Sequence, residues 1–194
     1  MLGIFLDSET NGLNPRKHHV IEIAFKLIDV ETGEKKDECA SIISISETEW
    51  EKSDRESLKI NGFTWEMVKG GMPREKVAER VRECFDKWAI RRGAAVFICQ
   101  NPSFDRVFFS QLIDTDEQEM RKWPYHWLDL ASMFWSLSIQ KRGSGKFPWE
   151  IGCSKDKIAT SLNLPKEMNP HRAMNGVDHL LLCYEAIVGF PKKG

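Results

Sequence analysis

The chain has 194 residues, 41% hydrophobic and 29% charged, the balance of an ordinary globular protein long enough to bury one sizeable core. No apolar run approaches the roughly 20 residues needed to cross a bilayer, so no membrane partner is expected. With 28 basic and 29 acidic residues the net charge is −1, which excludes a broadly basic surface of the kind that grips long duplexes.

The apolar run Leu2-Gly3-Ile4-Phe5-Leu6 reads as a buried first strand, and Asp7-Ser8-Glu9-Thr10 follows it directly. In an extended chain residues i and i+2 share a face, so Asp7 and Glu9 project together from the end of a core strand. Two carboxylates held that close repel and resist desolvation, and a divalent cation between them removes both problems. A solvated acidic pair at a strand end is the plainer alternative. Asn11 to Pro15 is a turn cluster. From His19 to Val30 the pattern alternates, with Ile21, Ile23, Phe25 and Leu27 on one side and Glu22, Ala24 and Lys26 on the other, which predicts a half-buried strand. Glu31 to Glu34 turns into a third strand over Cys39 to Ile45.

Short helical pieces are expected around 54–60 and 63–69. Pro73 opens an amphipathic helix carrying Val77, Val81, Cys84, Phe85 and Trp88, ended by Gly93. Ala94 to Cys99 reads as a fourth strand buried on both faces. Asn101-Pro102 reads as a helix cap followed by proline at the first helical position, with the helix running to about Ile113. Trp127 to Leu130 predicts a fifth strand leading into a helix from Asp129 to Gln140. Lys141 to Gly152 reads as a loop, Ser154 as the cap of a short helix to Leu162, and 177–188 as the last helix, stopped by Gly189 and Pro191. A three-strand meander followed by alternating strands and helices predicts an α/β domain with a mixed five-stranded sheet and helices on its faces.

Five cysteines, Cys39, Cys84, Cys99, Cys153 and Cys183, are odd in number with no Cys-x-x-Cys pair. They argue against a disulfide framework or zinc knuckle and for a reducing compartment. The N-terminus lacks a basic-then-apolar secretory pattern, so a cytoplasmic location is expected.

Asp105 shares a helical face with Phe108, Phe109 and Leu112, and Asp178 shares one with Leu181 and Leu182. An aspartate on an apolar face needs a partner. A first-turn aspartate is also what the helix dipole favours, with no further role.

Asp7-Ser8-Glu9-Thr10-Asn11-Gly12-Leu13 resembles the first motif, Asp-x-Glu-Thr-x-Gly-Leu, of the DEDDh 3′–5′ exonucleases of the ribonuclease H-like superfamily. Asn101 to Phe108 resembles their second motif, Asn-x-x-Phe-Asp-x-x-Phe. His171-Arg172-Ala173-Met174 begins like the third, and Asp178 fits its aspartate if Asn175-Gly176 lies in a two-residue loop insertion. The family has four residues between that histidine and aspartate, and here six intervene.

The resemblance covers about residues 2 to 188 and implies a single exonuclease domain over 1–194 with a ribonuclease H-like fold. It implies two Mg²⁺ or Mn²⁺ ions held by Asp7, Glu9, Asp105 and Asp178, with Asp7 bridging, and His171 as general base on the attacking water. His179, about 100° round the helix from Asp178, is the competing histidine. The backbone of Thr10, Asn11 and Gly12 would receive the 3′-terminal nucleotide, with Leu13 and Phe104 against bases. The implied partner is the 3′ end of single-stranded DNA or RNA, and a second copy of the chain, in a homodimer, is a further implied partner because related nucleases often dimerise. The competing expectation is a catalytically degenerate module of the same fold that binds nucleic acid or scaffolds a polymerase. A third is another ribonuclease H-like activity, an endonuclease or integrase.

Overall fold

A computed structural model describes residues 1–141 and 145–192. In chain order the elements are β1 (Leu2–Thr10), β2 (Val20–Asp29), β3 (Lys35–Ser44), α1 (Glu47–Trp50), α2 (Arg55–Asn61), α3 (Trp65–Lys69), β4 (Met72–Pro73) and α4 (Arg74–Lys87). There follow β5 (Ala95–Cys99), α5 (Pro102–Leu112), α6 (Thr115–Met120), β6 (Trp127–Asp129), α7 (Leu130–Lys141), α8 (Pro148–Ile151), α9 (Lys155–Ser161) and α10 (Ala173–Ile187).

The strands form one sheet in the order β4-β3-β2-β1-β5-β6. β1, β2 and β3 are the expected antiparallel meander, while β5 runs parallel to β1 and β6 parallel to β5. The sixth strand is the two-residue β4, which pairs with β3 through Ile43 and Met72. It was not expected, because a strand that short ends before any alternation can register. α6, α8 and α1 were likewise too short to show a helical period. Within the expected loop over 141–152, α8 is helical, and residues 142–144 lie outside the described residues.

Each face of the sheet carries its own apolar layer. Ile4, Leu6, Ile23, Phe25 and Leu27 pack against Val77, Val81 and Phe85 of α4 and Phe108 and Phe109 of α5. Phe5, Ala24, Ile28 and Ile98 pack against Leu130 and Phe134 of α7, Ile158 of α9 and Val177, Leu180 and Tyr184 of α10. Helices on both sides explain why β2 is buried on both faces and not half-buried as its alternation suggests. Among the described residues no helix is long and apolar enough to cross a membrane, and the five cysteines are free thiols.

The edge of the meander is tied to α4 by a polar contact. Asp37 Oδ2 accepts hydrogen bonds from Lys87 Nζ at 2.8 Å and Trp88 Nε1 at 2.7 Å. These two donors hold the Asp37 carboxyl at about 2. A depressed carboxylate stabilises the fold above its unfolded pKa and loses that contribution as pH falls through its folded one. Asp37→Ala is therefore expected to lower stability by about 1 kcal/mol at pH 7, allowing for solvent screening. In urea unfolding the gap from wild type should shrink as pH drops from 4 to 2.

Candidate active site

β1 outruns its parallel neighbour. Pairing between β1 and β5 ends at Phe5 and Ile98, so Asp7, Ser8 and Glu9 stand beyond the carboxyl end of the parallel pair. Such an end is where open α/β sheets receive ligands. Asp7 and Glu9 lie on one face of β1, as the i, i+2 spacing requires, and Ser8 points to the other. There α5 begins, and Ser8 Oγ donates to Asp105 Oδ1 at 2.7 Å. Asp105 is buried with Phe108, Phe109 and Leu112, on the helical face expected for it. Asn101 starts α5 but does not cap it with its side chain. It adopts a left-handed conformation, and its N–H donates to Asp129 Oδ1 at 3.0 Å.

Burial and repulsion from neighbouring acids act on all three carboxylates. Burial, and then the Asp7 charge, push Asp105 well above the usual carboxylate range. The same two causes raise Glu9 to about 8. Burial also raises Asp7, against the pull of Lys155.

Asp178 does not join them. It sits 54% exposed on the outer side of α10, where it pairs with Lys26. The expected loop insertion is absent: Arg172 is the N-cap of α10, and Asn175 and Gly176 lie within the helix. The residue five after His171, where the family pattern has its aspartate, is Gly176. Gly176 faces Asp7 so closely that a Cβ there would lie 2.0 Å from Asp7 Oδ2. Asp178 is two residues, about 200°, further round the helix, which turns it away from the site.

In the space beside Gly176 stands Lys155. Its Nζ donates to Asp7 Oδ1 at 3.0 Å, lies 3.1 Å from Glu167 Oε2, and lies 3.4 Å from the Gly176 carbonyl oxygen. Lys155, Glu167 and Gly176 are the residues that sequence reasoning missed. The spacing after His171 was the available signal for Gly176. Nothing local marks Lys155, which meets Asp7 only through the fold, or Glu167, which meets Lys155.

His171 lies on the site's far wall, one-third exposed, with Nδ1 3.7 Å from Glu167 Oε1. Its positive form lowers the Asp7 pKa, so the two are within electrostatic reach. His179 is buried behind Glu167, and its Nε2 lies 3.0 Å from the Pro165 carbonyl oxygen. Gln100, Asn101, Asp129, Lys155, Glu167 and His171 line an open cleft of about 580 Å³ beside the carboxylates. Asp129 is a helix cap, accepting from the N–H groups of Ala131 and Ser132.

The remaining first-motif residues divide. Thr10 is buried, and its hydroxyl donates to the Gly12 carbonyl at 2.8 Å. Asn11 is fully buried and fastens the loop, donating to Glu49 O and Ser53 Oγ and accepting from His19 N. At Gly12 a Cβ would strike the His18 ring at 2.2 Å, so only glycine fits. Leu13 is 73% exposed, and Phe104 is half-buried against Phe108.

The chain matches a family model described as Exonuclease, of the RNase T type, over residues 4–179. The chain belongs to this exonuclease family. No curated protein matches it in sequence. Among solved structures it is similar to the zinc-bound E. coli exonuclease I in complex with single-stranded DNA, with a TM-score of 0.75 and 13% identity over 96% of this chain and 40% of that one. It is also similar to a moderately thermophilic exonuclease I from Methylocaldum szegediense, with a TM-score of 0.71, 15% identity, and 96% and 40% covered. E. coli exonuclease I with a dT13 oligonucleotide gives 0.70 and 13%, with 96% and 41% covered. The chain spans about two-fifths of the length of these proteins, and at such identities the likeness is one of fold. That fold bears out the ribonuclease H-like expectation, with six strands in place of five.

The family implies divalent cations. Asp7, Glu9 and Asp105 offer hard oxygen donors, and among the described residues Glu9 and Asp105 have no cationic side chain paired with them, which suits one such ion. Two do not fit, because Gly176 supplies no fourth carboxylate and Lys155 holds Asp7. Among the described residues no three His, Cys, Asp or Glu side chains already converge as a ligand set. Asp7 Oδ1 accepts from Lys155 Nζ and Asp105 Oδ1 from Ser8 Oγ.

The geometry of this wall rests on Glu22. Its carboxylate accepts from Arg172 Nε at 3.1 Å, Arg172 Nη2 at 2.8 Å and the Ala173 N–H at 2.7 Å, which seats the start of α10 on β2. Glu22→Gln is expected to cost about 2 kcal/mol, because it strands the guanidinium beside a neutral amide. Arg172→Lys keeps the charge but loses the fork and should cost about 1 kcal/mol. Urea unfolding followed by tryptophan fluorescence measures both; no change in either would mean that apolar packing alone seats α10.

Proposed function

We propose that this domain is a 3′–5′ exonuclease that removes nucleotides, as 5′-monophosphates, from the 3′ end of single-stranded nucleic acid. The observation that carries the reading is the placing of buried Asp7, part-buried Glu9 and buried Asp105 at the carboxyl end of the β1–β5 pair, within an exonuclease-family fold. Single-stranded DNA is the preferred substrate class, since the exonuclease I structures that share the fold hold DNA oligonucleotides.

The residues divide the work as follows. Asp7, Glu9 and Asp105 would hold a divalent cation. When bound, Mg²⁺ or Mn²⁺ would supply charge neutralisation at phosphorus and at the leaving oxygen. His171, steadied by Glu167, takes a proton from the attacking water. Leu13, too exposed to serve the core, meets the terminal base, and Phe104 offers a half-buried ring to it or its neighbour. Thr10, Asn11 and Gly12 hold the loop that presents Leu13.

A second reading, binding of the 3′ end without hydrolysis, is favoured by one specific observation: glycine stands where the family has its last aspartate, and a lysine ammonium stands beside it.

The deciding experiment incubates 5′-labelled single-stranded DNA and RNA with the protein in Mg²⁺, Mn²⁺ or EDTA. Metal-dependent shortening from the 3′ end is expected, abolished in Asp105→Asn and slowed about 10²–10⁴-fold in His171→Ala. A retarded but uncut oligonucleotide in every metal would replace the first reading with the second.

A further inference from the structure

Lys155 is in a place that its own helix opposes. It is the first residue of α9, behind the Ser154 cap, where the helix dipole disfavours a cation. Its side chain is nonetheless 13% exposed and directed into the site. An ammonium has three N–H donors, and three acceptors surround this one: Asp7 Oδ1, Glu167 Oε2 and the Gly176 carbonyl. The attraction of tertiary carboxylates, not local helix physics, sets its position.

Gly176 belongs to the same arrangement. Glycine within a helix costs about 0.5–1 kcal/mol relative to alanine. Here a Cβ would collide with Asp7 Oδ2 and come within 2.9 Å of Lys155 Nζ. The bare Cα leaves the room in which ammonium and carboxylate meet.

The surroundings need more positive charge, but not two divalent ions. Lys155 serves Asp7 and Glu167, Arg172 serves Glu22, and Glu9 and Asp105 have no permanent cation within bonding distance among the described residues. Glu167 stands beside the Lys155–Asp7 pair, with its Oε1 3.7 Å from His171 Nδ1. Its side chain is 3% exposed, and its Oε1 has no hydrogen-bond partner among the described residues.

We infer that the Lys155 ammonium is the resident cation of one half of this site, so that the domain binds a single divalent ion through Asp7, Glu9 and Asp105. The inference rests on reading those three carboxylates as cation-binding, but the number of ions can be measured whether or not hydrolysis follows.

The test is a Mn²⁺ titration of the whole chain, by calorimetry and by the loss of the free-ion electron paramagnetic resonance signal. Wild type should bind one ion per chain, and so should Lys155→Arg. The double variant Lys155→Met/Gly176→Asp, which removes the ammonium and restores a carboxylate opposite Asp7, should bind two. Thermal unfolding first checks that each variant folds; if the double variant does not, wild type and Lys155→Arg still decide the count.

Two ions on wild type would overturn the inference and leave the exonuclease reading standing. No ion on wild type would overturn the inference together with the cation-binding role of the carboxylates. One ion on wild type with no shortening of any oligonucleotide would support the inference and remove the exonuclease reading.

Discussion

The contact between the Lys155 ammonium and the Asp7 carboxylate is the constraint on which the rest of the site depends. Asp7 is buried at the end of a central strand, where an isolated charge is costly. It is carried there because β1 is the strand on which both halves of the sheet pair, the meander on one side and β5 on the other. Once a carboxylate is placed at that point, something positive must approach it. In this chain α9 delivers a lysine, and α10 supplies a glycine to let it in. Glu167 closes the pair from the loop between those helices: burial pushes its carboxyl up, but His179 and Lys155 outweigh that and hold it at about 2.

A second charge pair holds the wall in which this happens. Glu22 lies opposite Glu9 in the β1–β2 register, and without Arg172 the two acids would face each other across the ladder unrelieved. Arg172 takes Glu22 and also lays its guanidinium 4.2 Å from the Phe63 ring centroid, so the start of α10 is fixed to β2 and to the segment before α3. Because the backbone N–H of Ala173 also donates to Glu22, the carboxylate serves as the cap that the Arg172 side chain does not provide. The azimuth of α10, and with it the choice of Gly176 over Asp178 as the residue that faces Asp7, follows from this anchor.

The first motif does two kinds of work that its letters do not separate. Asp7 and Glu9 present charge, whereas Thr10, Asn11 and Gly12 are consumed in shaping the loop, and Gln111 of α5 pins that loop further through Val20 N and the Pro15 and His18 carbonyls. The result is an apolar side chain, Leu13, held in solvent at the rim of a carboxylate site.

The sequence by itself determined the class of fold, the placing of the meander, and the juxtaposition of Asp7 with Glu9, because strand alternation and i, i+2 geometry are properties of a few neighbouring residues. It also determined that Asp105 would be buried, since the apolar face around it is written within one helix. Asp178 carried an equally plausible local pattern and proved to lie on the solvent side. Leu181 and Leu182 share its sector, but the face that α10 buries runs through Gly176, Leu180 and Cys183. Reading Asn175-Gly176 as loop followed from the two extra residues between His171 and Asp178, whereas both lie inside α10 with Gly176 against Asp7. Only the tertiary structure decided where α10 begins, which of its faces meets β1, and that a lysine from α9 reaches Asp7 with a glutamate from the following loop on its other side. Those outcomes depend on contacts between residues more than a hundred positions apart, and no local period encodes them.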